Sequence, residues 1–251
     1  MSSFGEAKQD GSMEQIERVI HYIGELDPAC PDQVQGASPS QVLELSTLVN
    51  AEFPATYQQF LLSMGENMDW LSIQGADFNL SRLLDRYRRM RSRPLNGYVL
   101  AGLLEDEAGY DVYLQEDGSP WLRVVALPEL TDATEIGTWI RPIAGSLEQG
   151  LCTAAFRTVR FDILPAAITF SSRGRERNLF GPASASLEDL SMDKLWYSND
   201  RYAVLTRGDT AAIVAEPIGA PFSLEMRGSN QQELEAISAT LLSHVPLVRQ
   251  L

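Results

Sequence analysis

Apolar positions in the first quarter of the chain recur at helical spacing. Met13, Ile16, Val19, Ile20 and Ile23 share one face behind Ser12 and Gln15, which have capping-box spacing, so a helix is expected from Ser12 to about Gly24. Residues 1–11 lack this periodicity and read as a frayed tail, and the segment ELDPACPDQVQG reads as a connection. Ser38-Pro39-Ser40-Gln41 then opens a second helix with Val42, Leu45, Leu48 and Val49 on one face. That helix cannot pass Pro54, whose ring removes a donor and clashes one turn back at a cost of about 3 kcal/mol. Pro54 suits the first position of a new helix carrying Tyr57, Phe60, Leu61 and Met64 at i, i+3, i+4 and i+7, which Gly65 ends. The proline is thus read as a corner between two short apolar stripes.

Beyond Gly65 the period shortens. Trp70–Ile73 is a short candidate strand, an arginine-rich helix is expected at about 79–91, and Tyr98–Leu104, Tyr110–Gln115 and Trp121–Leu127 read as successive antiparallel strands. Ser146 and Gln149 cap a helix carrying Leu147, Leu151, Ala154 and Ala155. A second set follows: strands at Phe161–Leu164 and Ile168–Ser172, a short helix over LEDLSMDKL capped by Ser186 and Asp189, and a hairpin of Tyr202–Thr206 and Ala211–Ala215. A strand at Phe222–Met226 and a last helix capped by Ser229 and Gln232 complete it. The pattern predicts an α+β protein: a tail at 1–11, N-terminal helices packed on an antiparallel sheet over 12–157, and a smaller C-terminal α+β domain over 158–251.

Charge narrows the function classes. Twenty basic residues face 34 acidic ones, for a net charge of −14 in 251 residues, which argues against nucleic acid as partner and favours solubility or steering towards a basic protein. No apolar run reaches membrane-spanning length and the N-terminus lacks a secretory apolar core, so a cytoplasmic protein without membrane attachment is expected. Cys30 and Cys152 have no CxxC spacing and read as buried thiols.

Catalytic signatures are sparse. His21 and His244, the only histidines, have no nucleophile or metal ligand at a recognised spacing, and no phosphate loop, zinc helix or nucleophile elbow occurs, so no enzyme activity, cofactor or metal is expected. Ser191-Met192-Asp193-Lys194 matches S-x-x-K without its companion motifs and reads as part of a helix; Arg207-Gly208-Asp209 reads as a hairpin turn.

Acids cluster instead. Residues 105–135 carry Glu105, Asp106, Glu107, Asp111, Glu116, Asp117, Glu129, Asp132 and Glu135 against the single base Arg123. The cluster lacks EF-hand spacing. It reads either as a solvated rim or, because Tyr110, Tyr113 and Trp121 are interleaved with it, as a protein-binding patch. The stripe Arg82, Arg86, Arg89 and Arg93, with Arg88 and Arg91 beside it, is expected to pair with carboxylates of this chain or of a partner.

Residues 36–67, with Gly36, Glu44, Phe53-Pro54, Tyr57, Phe60-Leu61 and Gly65-Glu66-Asn67, resemble the opening of the SUKH superfamily, which includes a fungal cell-wall synthesis regulator and bacterial immunity proteins. Gly102 and Asp111 in the following strands and SLEQGLCTAAF at their end extend the likeness to about 13–157; Gly65-Glu66-Asn67 reverses the family's usual Asn-Gly order, and 158–251 lie outside the likeness. The resemblance implies binding without turnover: a bacterial immunity protein that neutralises a cognate toxin, such as a basic nuclease delivered by type VI or contact-dependent secretion. The alternative it implies is a regulatory scaffold for a housekeeping enzyme. The expected partner-binding residues are Glu105, Asp106, Glu107, Tyr110, Asp111, Tyr113, Glu116, Asp117 and Trp121.

Overall fold

The computed structural model describes residues 7–68, 70–90, 98–104, 110–115, 123–128, 141–172, 178–217 and 221–250; at 7–14, 110, 123–128 and 141–142 it describes the backbone alone. The chain divides into two compact units, Met1–Ala155 and Phe156–Leu251. Among the described residues no helix is long and apolar enough to cross a membrane. The architecture is mixed α+β, with helices and two antiparallel sheets.

The first unit opens with α1 (Ala7–Leu26), α2 (Cys30–Gln33), α3 (Pro39–Val49), α4 (Ala55–Met64) and α5 (Leu80–Arg89). Helix α1 begins before the expected Ser12 cap because Ala7, Lys8 and Gln9 favour helix and one glycine costs only about 1 kcal/mol; residues 1–6 of the expected tail lie outside the described residues. Ser38 and Gln41 form the expected capping box on α3. The corner is built differently from its prediction. Helix α3 stops at Asn50, whose left-handed backbone (φ 56) frees the chain before the proline. Pro54 then stands outside α4 as its N-cap, accepting from the backbone N–H groups of Tyr57 and Gln58 at 3.0 Å each.

Tyr57, Phe60, Leu61 and Met64 are all fully buried, and Tyr57, Phe60 and Phe78 form a run of ring contacts at 6.0 and 5.9 Å. Full burial of each such side chain contributes about 1.5–3 kcal/mol, so α4 is held by its apolar face. Trp70–Ile73 forms no strand. Leu71 and Ile73 are buried, but the segment turns, through left-handed Gln74 and Gly75, back to a single bridge between Asp77 and Leu103. Strands β1 (Tyr98–Gly102), β2 (Tyr110–Gln115), β3 (Arg123–Pro128) and β4 (Arg141–Ala144) form an antiparallel meander, followed by α6 (Leu147–Phe156). Ser146 Oγ accepts from the Gln149 N–H at 3.0 Å, while the Gln149 side chain accepts from Gly145 rather than from Ser146.

The second unit holds an antiparallel sheet in the order β10-β5-β9-β8-β7-β6, comprising β5 (Ala166–Ser172), β6 (Asp193–Lys194), β7 (Tyr202–Arg207), β8 (Thr210–Ala215), β9 (Ser223–Gly228) and β10 (Leu247–Gln250). Helices α7 (Phe180–Asp189) and α8 (Gln231–His244) supply Ala183, Leu187, Leu234, Ile237 and Leu241 to its core. Phe161–Leu164 is not a strand: Arg157–Phe161 is a π-helical turn that buries Phe161 between the guanidinium groups of Arg157 and Arg227, 5.2 and 5.5 Å from its ring. Helix α7 also starts earlier than expected, because the Glu216 carboxylate, from beyond β8, accepts from Asn178 N at 2.6 Å and Phe180 N at 2.8 Å. The last helix is capped by Asn230 rather than Ser229. Gly208 takes φ 56 in the two-residue turn between Arg207 and Thr210, as a II′-type hairpin turn requires, so Arg207-Gly208-Asp209 is a turn.

Candidate functional site

The Gly65-Glu66-Asn67 stop of α4 is a junction of hydrogen bonds. Gly65 N donates to Leu61 O at 2.9 Å, closing α4, and Gly65 O accepts from Leu80 N at 2.6 Å, where α5 begins. Glu66 N and Asn67 N both donate to Gln35 O, at 2.9 and 3.0 Å, and Asn67 O accepts from Gln35 N at 2.9 Å. Gly36 packs so closely here that a Cβ would lie 1.7 Å from Leu62 O. The Glu66 carboxylate accepts from Ser81 Oγ at 2.9 Å and from Gln41 Nε2 at 3.3 Å, so it joins the capping box of α3 to the first turn of α5.

Beside this junction lies a cleft of about 390 Å³ lined by Glu66, Trp70, Asp77, Asn79 and Arg82, among others. Trp70 is positioned by its indole N–H, which donates to Asp27 Oδ2 at 2.9 Å. The Asp77 carboxylate accepts from Asn79 N at 2.8 Å and from the Arg82 guanidinium. Donors at the start of α5 are largely satisfied: Leu80 N by Gly65, Arg82 N by Asn79 Oδ1 at 2.9 Å, and Leu83 N by Asn79 O at 3.0 Å. In the sequence Gly65-Glu66-Asn67 marks a helix stop and part of the SUKH resemblance; the two polar residues that follow Gly65 were the available sign of a junction.

Of the expected partner-binding residues, the structure describes the side chains of Asp111 and Tyr113 alone. Glu105, Asp106, Glu107, Glu116, Asp117 and Trp121 lie outside the described residues, and only the backbone of Tyr110 is described, in β2 opposite Pro128. Asp111 and Tyr113, expected on the exposed patch, are interior instead, 7% and 6% accessible. The reason is that β2 is an inner strand with both faces covered: Val112 and Leu114 on its other face are also fully buried. Asp111 Oδ1 accepts from Leu104 N at 3.2 Å, and Oδ2 lies 3.7 Å from Arg86.

The arginines of α5 are engaged within their own unit. Arg82 pairs with Asp77, Arg86 with Asp111, and Arg88 with Glu44 and Asp85, while Arg89 Nε donates to Asp85 O at 3.1 Å. Arg91 and Arg93 lie outside the described residues. His21 faces Glu25 at 3.3 Å on the surface, and His244 Nδ1 lies 3.0 Å from Thr240 O. Among the described residues no group of three or more His, Cys, Asp or Glu is placed to hold a metal ion. Ser191 and Lys194 do not share a helix as expected; α7 ends before Ser191, which is left-handed (φ 62), and Lys194 lies on β6.

Cys30 and Cys152 are both buried thiols. Burial holds the Cys152 thiol well above its ordinary pKa, with the nearby Glu148 adding to the rise and Arg18 opposing it. Burial likewise raises the Glu148 carboxyl, with Arg18 again opposing. A thiol so held is protonated and a poor nucleophile.

The class that the fold and these sites define is an acidic α+β protein with a polar cleft at a helix junction. No family model matches the chain, and neither a curated protein nor a solved structure matches it significantly.

Proposed function

We propose that the protein is a binding module for a basic protein, and specifically a bacterial immunity protein that neutralises a cognate secreted toxin, with a nuclease domain as the expected partner. The observation that carries this reading is the distribution of charge: the chain is at −14, its acids concentrate at 105–135, and the described arginines of α5 are committed to carboxylates or carbonyls of their own unit. A nuclease must present a basic groove to hold its substrate. An acidic protein competes for that groove and is steered towards it. The SUKH resemblance of residues 36–67 supports the same reading independently, since it rests on packing and turn residues rather than on charge.

The test is protection. Cells expressing this protein survive induction of the toxin encoded beside it, and the tagged protein retains that toxin from a lysate of the producing strain. Retention of no effector overturns the reading, and retention of a housekeeping enzyme in its place points to the regulatory scaffold.

A further inference from the structure

We propose that the apolar groove at the C-terminal end of α1 docks a segment of the protein partner in which an apolar side chain is flanked by lysine or arginine. The kind of partner rests on the binding role proposed above; the place rests on the groove itself. Helix α1 supplies Ile20, His21, Gly24 and Glu25 to it, and the segment that follows supplies Pro28 and Pro31. A Cβ on Gly24 would lie 2.9 Å from Pro31 Cγ, so the glycine lets that ring close against the helix. Ile20 and the two proline rings offer apolar surface, and neither proline has a backbone N–H to donate. The groove volume, about 370 Å³, lies near the lower end of ligand pockets and suits one apolar side chain with its flanking backbone.

Charge selects the flanking residues. Helix α1 runs for 20 residues, so its C-terminus presents the negative end of a full helix dipole, and its last turn holds no basic residue to offset it. Glu17 and Glu25 flank His21 at i−4 and i+4 on one exposed row of the helix, with Glu25 Oε1 3.3 Å from His21 Nε2. Among the described residues no lysine or arginine pairs with either carboxylate. A cation brought to this row meets the dipole and the carboxylates together while its apolar neighbour enters the groove. A second copy of this chain, itself at −14 and bearing the same row, meets like charge here, as does an anionic membrane surface.

The experiment uses the full chain labelled with ¹³C-histidine and titrated with acetyl-Lys-Leu-Lys-amide, acetyl-Lys-Gly-Lys-amide and acetyl-Glu-Leu-Glu-amide. The chain has two histidines: His21 lines the groove, and His244, in the last turn of α8, reports a helix end elsewhere. The His21 ring resonance, assigned by His21→Gln, is expected to shift saturably with the Lys-Leu-Lys peptide while that of His244 stays in place. The Lys-Gly-Lys peptide is expected to bind about fivefold more weakly for want of the apolar side chain, and the Glu-Leu-Glu peptide to leave His21 unmoved. Glu25→Gln is expected to weaken the Lys-Leu-Lys peptide about threefold. Absence of a saturable His21 shift, an equal response of His244, or equal binding of Lys-Leu-Lys and either control overturns the groove with the unmodified protein alone, so a variant that misfolds does not protect the proposal. The two readings fail separately. If the Lys-Leu-Lys peptide binds as expected and no toxin is retained, the groove stands and immunity falls; if the toxin is held equally tightly by wild type and a folded Glu25→Lys, the groove falls and immunity stands.

Discussion

Among the described glycines Gly36 leaves the least room for a side chain. Its neighbours tie the segment to the end of α4, Gln35 through Asn67 and Ala37 N through Leu61 O at 2.9 Å, so the backbone cannot retreat from Leu62 O without breaking those bonds. Gly36→Ala is expected to cost about 3 kcal/mol in urea unfolding, the upper end of ordinary overpacking, because the obstacle is a carbonyl rather than a side-chain tip. Gly181, in the first turn of α7 with nothing within 4 Å of an added Cβ, is the contrast: Gly181→Ala is expected to stabilise by about 0.5–1 kcal/mol through the unfolded chain. Glu148 gives a pH signature. It is 9% accessible, and burial raises its carboxyl although the first turn of α6 favours an anion. A raised folded pKa means that the folded state binds more protons between the ordinary value of 4.5 and the raised one. Its contribution to stability is therefore greatest below 4.5 and is lost as pH climbs through that window. Unfolding curves of wild type and Glu148→Gln across this range are expected to diverge in favour of the glutamine as pH rises; parallel curves would remove Glu148 as the source.

At the scale of elements, Ser38→Ala is expected to cost about 1 kcal/mol as a lost cap. Gln41→Ala is expected to cost more, because Gln41 also bonds Glu66 and Ser81 and so links α3 to α5; chemical denaturation of the two variants ranks them. What was legible in the sequence divides along the same line. Local signals were readable: the Ser38 box, the buried stripe Tyr57-Phe60-Leu61-Met64, the β2–β3 pairing and the Gly208 turn all arise within a few residues of one another. Asn50, the left-handed stop of α3, was not read from the sequence, because Pro54 four positions on carried the steric argument and received its role. Signals supplied from a distance were not readable. Glu216 starts α7 from beyond β8, and Arg227 on β9 turns the apolar Phe161 into one side of a cation–π contact instead of a strand position. The cleft was opaque for the same reason: Trp70 reaches Asp27, and Asn79 reaches the Glu66 carbonyl, only after the chain has folded back.

For the whole molecule, the question is where the excess negative charge acts. Patterning alone put Asp111 and Tyr113 among the contact residues, since acids beside aromatics mark interfaces; burial removes both, and Asp111 faces Arg86 inside the first unit. Reversing Asp111 would leave two cations together in the interior and test stability rather than steering. The informative variant reverses Glu105, Asp106 and Asp117 and spares Asp111. If the proposed binding role holds, these three charges act on association at long range, and their field is screened within about 10 Å at 0.1 M salt and about 3 Å at 1 M. Stopped-flow association with the toxin is therefore expected to slow at least about tenfold at low ionic strength and converge on the wild-type rate at high salt, with the dissociation rate nearly unchanged. A loss equal at both ionic strengths would mean that these side chains make short-range contacts, and a rate unchanged at either would move recognition away from the 105–117 segment.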